Sequence, residues 1–207
     1  MAEEQRISRT TRAQRNDKRI LTAARQVFLN DADAPMSAVA DAAGVGMAAV
    51  YGRHAGKEDL LRTLCADGLA RYLEEVEAAV AAADVPAAFE RFMTRIVDAD
   101  THTLTARLAG SFTPTDQMLA EADRANRLNE ELVARAHAAG VLRADVTAPD
   151  LAMVFEMVAA VRLGDEDRTR ELRRRFLAIA VHGLRPDGGE VPGTPPRWEE
   201  LGARWQP

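Results

Sequence analysis

Between Met36 and Lys57 the chain reads MSAVADAAGVGMAAVYGRHAGK, a stretch that leaves few folds open. Val39, Ala40 and Ala43 fall on one helical face and Ser37 stands where an N-cap would accept a free backbone N–H, which predicts a helix of about two turns. Gly44 can close that helix in the left-handed conformation, Val45 can plug the gap between helices, and Gly46 can start the next. Reversal within about three residues is the layout of a helix-turn-helix, which reads DNA in some proteins and is only a packed helix pair in others.

The upstream residues favour DNA. Between Gln5 and Asn30 stand Arg6, Arg9, Arg12, Arg15, Lys18, Arg19 and Arg25 against Asp17 alone, in a chain of net charge −5. A basic tail by itself is often only solvated, but beside a helix-turn-helix its natural anion is phosphate. In the second helix, with Val50 pointing inward, Ala48 and Gly52 point outward, Ala49 and Tyr51 lie on the flanks, and Met47, Arg53 and His54 lie nearer the inner boundary. Alanine and glycine can approach thymine methyl groups but make no bidentate base contacts, so direct readout falls to Tyr51 and Arg53. DNA shape, water and the arginine arm in a minor groove supply the remainder. His54 reads as a packing residue.

Ile20, Ala24 and Phe28, then VADAAGV at 39–45, then Val50-Tyr51 followed by Lys57-Glu58-Asp59-Leu60-Leu61, resemble the DNA-binding domain of the TetR family of bacterial transcriptional regulators. GVLRADVTAPDL, from Gly140 to Leu151, resembles the linker before the penultimate helix of many actinobacterial members. The chain departs from the family at Gly46, where Ser or Thr is common, at Gly52, where a polar or aromatic residue is common, and at His54, where an aromatic is common. The resemblance implies an all-α fold of about nine helices: an N-terminal three-helix helix-turn-helix domain and a C-terminal helical bundle for ligand binding and dimerisation. It implies a ligand-responsive repressor that binds a palindromic double-stranded DNA operator as a homodimer and is released by a small hydrophobic effector. It puts Tyr51 and Lys57 on phosphates and Ser37 on the DNA backbone. The expected DNA-binding set is Arg12, Arg15, Lys18, Ser37, Met47, Ala48, Ala49, Tyr51, Gly52, Arg53 and Lys57.

Later segments carry helical spacing and no convincing strand. Leu61, Cys65, Leu69, Tyr72, Leu73, Val76 and Val80 predict a long helix over 57–83, and Pro86 starts another carrying Phe89, Phe92, Met93, Ile96 and Val97. Thr101 to Thr113 is broken, with Leu104, Leu108 and Phe112 scattered along it; Thr113-Pro114 then announces a helix that Gly140 closes. The helices at 149–163 and 166–184 are apolar nearly all round: Met153 and Met157 lie opposite Leu151 and Phe155, and Leu177 and Val181 lie off the stripe of Leu172, Phe176 and Ile179. One core cannot consume both faces, so a second copy of the chain is the expected cover. The expected domains are 1–60, basic arm and reader; 61–185, ligand-binding and dimerisation; and 186–207, a Pro/Gly-rich tail. That tail is either flexible or docked through Trp198 and Trp205.

The expected effector pocket draws on Phe89, Met93, Phe112, Met118, Phe155 and Met157, with His102 or His137 as polar anchors, although Met and Phe at helical spacing usually pack a core. The four histidines show no metal-ligand spacing, and the expectation is no metal and no cofactor. No phosphate loop, nucleophile elbow or zincin pair is present, and Asp165, Glu166 and Asp167 read as first-turn charges, so an enzyme is not expected. A DNA-packaging protein would use the basic arm but leaves residues 61–207 idle, with eighteen basic against twenty-four acidic side chains. No apolar run reaches about 18 residues and the N-terminus is charged, so the expected location is cytoplasmic, with no membrane partner. Cys65 is the only cysteine and reads as a small buried residue.

Overall fold

The computed structural model describes residues 2–100, 104, 107–187, 189 and 191–203, with side chains from Arg15 onward. Neither glycine nor proline interrupts Ala2 to Asn30, and this segment is one helix, α1 (Ala2–Asn30). The basic arm is therefore the N-terminal half of a helix, continuous with the stripe of Ile20, Ala24 and Phe28 that is buried four residues apart on one face. Next comes α2 (Met36–Ala43), whose N-cap is Pro35 (φ −74°, ψ 159°). Ser37 is therefore an exposed residue inside the first turn and not the cap the sequence suggested, because proline's fixed φ already turns the chain into the helix.

Gly44 closes α2 at φ 60°, ψ 42°, and the N–H of Val45 returns to the carbonyl of Ala40 at 3.0 Å. After α3 (Met47–Tyr51), α4 (Lys57–Ala81) runs 25 residues, a length of about 37 Å at the helical rise. This helix enters two cores. Leu60, Leu61, Leu64 and Cys65 pack with α1, α2 and Val50, while Val76 and Ala79 pack in a second cluster with α5 (Val85–Ala99), α6 (Asp116–Ala138), α7 (Ala148–Ala159) and α8 (Glu166–Gly183). Burial pushes the Cys65 thiol up to about 12. The scattered Leu104, Leu108 and Phe112 belong to the first core, so these residues between α5 and α6 pack with α1, α2 and the start of α4.

In the second core Tyr72, Phe92 and Phe155 meet edge to face, with centroids 5.7 and 5.8 Å apart. The Tyr72 hydroxyl donates to Asn129 Oδ1 at 2.8 Å, and burial raises its pKa, keeping it a neutral donor. Two of the boundaries that differ from the sequence reading have a visible cause. α6 starts at Asp116 because Thr115 caps it, its hydroxyl accepting from the N–H of Met118 at 3.2 Å. α7 stops at Ala159, short of Leu163, because Arg173 takes the carbonyls of Ala159 and Val161 before Gly164 turns the chain at φ 72°.

The tail is docked. Arg143 pairs with Asp145 (2.5 and 2.8 Å) and also donates to the carbonyl of Gly189; Asp145 Oδ2 accepts from the N–H of Val191 at 3.1 Å. These donors hold the Asp145 carboxyl at about 2. Farther on, α9 (Trp198–Gly202) rests on the second core, with Trp198 Nε1 donating to Glu130 at 3.0 Å. Trp205 lies outside the described residues.

Candidate nucleic-acid interface

Val50, fully buried, fixes the roll of α3 and turns its other residues toward solvent. Tyr51 is 53% and Met47 36% exposed; Ala48, Gly52 and Arg53 are exposed and Ala49 is half-buried. Arg53 departs from the angular reading, which assumed one uninterrupted helix. The helix ends at Tyr51, and the N–H groups of Arg53 and His54 both return to the carbonyl of Val50 (3.0 and 2.9 Å), which unwinds the chain and leaves Arg53 outside. A Cβ at Gly52 would lie 3.0 Å from the Ala48 carbonyl oxygen, so this part of the surface is kept bare by the backbone beneath it.

Arg19 and His54 tie this surface to α1. Arg19 on α1 donates to the carbonyl of Gly44 at 3.3 Å, tying the turn to the long helix. His54 is 4% exposed, with Nε2 3.9 Å from Asp17 on α1 and Nδ1 3.6 Å from Asp59 on α4. It packs where α3 exits, as expected, and Asp59 also accepts the N–H of Ala55 at 3.0 Å. The two contacts to α1 join residues 25 and 37 positions apart, and no local spacing announces them.

Lys57 opens α4 as expected, but its ammonium stands 5.5 Å from the centroid of the Phe28 ring. Lys57 as a whole is half-buried. Ser37, Arg15 and Lys18 are exposed; the Arg12 side chain lies outside the described residues. The neighbouring Glu58 is engaged by Arg62 at 2.6 Å and by the N–H of Thr113 at 3.2 Å.

The eight expected pocket residues are not gathered at one place. Phe89, Met93 and Phe155 are fully buried in the second core, whereas Phe112 and Met118 belong with the first. Met157 is 60% exposed on α7, because its helix turns that face away from the core. His137 is partly buried, its Nε2 without a hydrogen-bond partner, and His102 lies outside the described residues. Between α5, α7 and α8, the cavity lined by Ile96, Val97, Asp100, Phe155, Val158, Ala159 and Arg173 measures about 10 Å³, room for about one water. Among the described residues, no helix is long and apolar enough to cross a membrane.

Residues 84–186 match the family model described as the C-terminal domain of SbtR-like transcriptional regulators. No curated protein matches the chain. Solved structures do. A TetR regulator from Streptomyces coelicolor is 24% identical (TM-score 0.54, covering 83% of this chain and 99% of that one), and one from Mycobacterium vanbaalenii is 26% identical (0.52, 85% and 98%). PfmR, a TetR-family regulator from Thermus thermophilus, is 22% identical (0.58, 83% and 99%). The all-helical fold with its N-terminal helix-turn-helix is theirs as well.

Proposed function

The chain belongs to the TetR family of transcriptional regulators, and from that premise we propose that it is a repressor, not an enzyme, which binds a palindromic operator as a homodimer and is released by a small hydrophobic effector. The observation that carries the DNA-binding half is the outward face of α3 and its exit, where a buried Val50 leaves Tyr51 and Arg53 exposed, with Arg15, Lys18 and Arg19 exposed on α1. Residues 1–60 act as the reader and 61–185 as the sensing and dimerising body, with α4 shared between them. Arg15, Lys18, Ser37 and Lys57 meet phosphates, while Met47, Ala48, Ala49 and Gly52 lie against the groove.

The dimer is supported by Phe176 and Ile179, 44% and 55% exposed on α8, and by Met157 on α7, a face apolar enough to need cover. The effector would enter the second core near Phe89, Met93 and Phe155. With so little space between α5, α7 and α8, it must open the packing, and so distinguishes two conformations of the protein. Direct binding to the DNA upstream of its own gene tests the reading: affinity about a thousandfold or more above random duplex is expected at physiological salt. Equal affinity for both would leave a packaging role.

A further inference from the structure

Arginines from separate parts of the chain hold the reading head to the body through helix ends. Arg25, on α1, donates to the carbonyls of Ala99 (2.9 Å) and Asp100. Asp100 ends α5 in the left-handed conformation (φ 51°), and its carboxylate accepts from Arg173 Nη1 of α8 at 2.8 Å. Arg173, 8% exposed, donates onward to the carbonyls of Ala159 (2.8 Å) and Val161 (3.1 Å) at the end of α7. The adjacent Arg162 donates back to the carbonyl of Leu29 on α1 at 2.8 Å. The ties thus close on themselves, from α1 to α5, α8, the end of α7 and α1 again. Arg107 adds a bond to the carbonyl of Asn30 at 2.8 Å.

The carbonyls at helix C-termini lack intrahelical donors and sit at the negative end of the helix dipole, so a cation there makes a directional, charge-assisted bond. Burial lowers the pKa of Arg25, the sign of a desolvation cost that an apolar contact would not carry. Ties of this kind suit fixing one orientation better than adding stability. Two of the joined elements, α7 and α8, carry the exposed apolar face, and α1 carries the head.

We infer that Asp100, Arg162 and Arg173 are positioning residues for DNA recognition: they set the head against α7 and α8, and so fix the half-site spacing that the dimer accepts. This rests on the dimeric operator reading above. A looser ring leaves each head able to bind its half-site but lets the two heads adopt a wider range of separations.

Selection of duplexes from a randomised library by the full chain, followed by affinity measurements on the selected half-site at several spacings, tests this. The wild type is expected to enrich one spacing. Asp100→Asn keeps a residue tolerant of the left-handed conformation and keeps the backbone acceptors of Arg25, but weakens the tie to Arg173. Arg162→Met opens the ring at another point. Both are expected to enrich the same half-site while discrimination between spacings falls roughly tenfold, within the usual range of coupling between sites. Arg174→Gln is the control: it removes the Arg174–Asp98 pair (2.7 and 2.9 Å), which joins the same α5 and α8 outside the ring, and should leave spacing unchanged. Circular dichroism and sedimentation check that each variant is folded and dimeric. Unchanged spacing discrimination in both ring variants overturns the inference and leaves the operator reading standing, and so does equal loosening by Arg174→Gln. Failure of the wild type to enrich any paired half-site overturns the operator reading, and this inference with it.

Discussion

At Gly44 the demand on the residue is local and could be read in the sequence. A helix that must reverse within three residues needs a left-handed closing position, and φ there is 60°. The structure adds a second constraint: a Cβ would stand 2.9 Å from the Arg19 guanidinium. Gly44→Ala is expected to destabilise the head by about 1–2 kcal/mol from the backbone conformation alone, checked by chemical unfolding, and to disturb the Arg19 tie. Val50 was legible for a similar reason, since one inward residue sets the phase of a helix. Arg53 was misjudged because its direction depends on where α3 stops, which the bonds to the Val50 carbonyl decide. Lys57 shows the limit of motif reasoning, because its ring partner Phe28 is 29 positions away. Lys57→Met keeps apolar contact with Phe28 and removes the charge. It should weaken binding to all duplexes and reduce the slope of log K against log salt by about one unit; an unchanged slope removes Lys57 from the phosphate contacts.

Elements were legible where the chain carries its own stop signals and less so where a distant side chain supplies them. α1 extends through the basic segment because nothing there breaks a helix, whereas α7 ends four residues early because Arg173, on another helix, takes its last carbonyls. The tail depends on such remote partners too: proline and glycine ruled out a long helix, but Gly189 and Val191 reach Arg143 and Asp145 only through the fold. The Asp145 carboxyl, held at about 2 chiefly by Arg143 and then by the Val191 N–H, sits below its ordinary value of 3.8. A depressed carboxyl pKa stabilises the docked tail above the unfolded value, and that contribution is lost as pH falls from about 4 to about 2. Acrylamide quenching of Trp198 should therefore rise over that interval. Asp145→Asn should show raised quenching already at pH 7 with its helical circular dichroism intact; unchanged quenching would mean that Trp198 and its bond to Glu130 hold the tail without the bonds of Asp145 to Arg143 and Val191.

For the whole molecule, the sequence showed more apolar helix surface at 149–163 and 166–184 than one core could absorb, and the structure leaves Met157, Phe176 and Ile179 outside both cores. It could not show that two cores share α4, or that Leu104, Leu108 and Phe112 belong to the head: period and hydrophobicity mark a residue as buried without saying against what. If a second copy covers the α8 face, the affinity of the dimer for a palindrome combines two half-site contacts, the second made at high effective concentration. Phe176→Asp with Ile179→Asp places two charges where that interface must exclude water, and both positions are exposed in the single chain, so the fold has little reason to fail. Sedimentation at micromolar concentration should show a monomer with unchanged helical content. Its affinity for the full operator should drop by about a hundredfold or more, toward that of an isolated half-site, while affinity for a half-site duplex stays within a few-fold of the wild-type value. A double variant that remains dimeric would assign the partner surface elsewhere, since two buried carboxylates facing two more across a symmetric interface could not both remain ionised and paired.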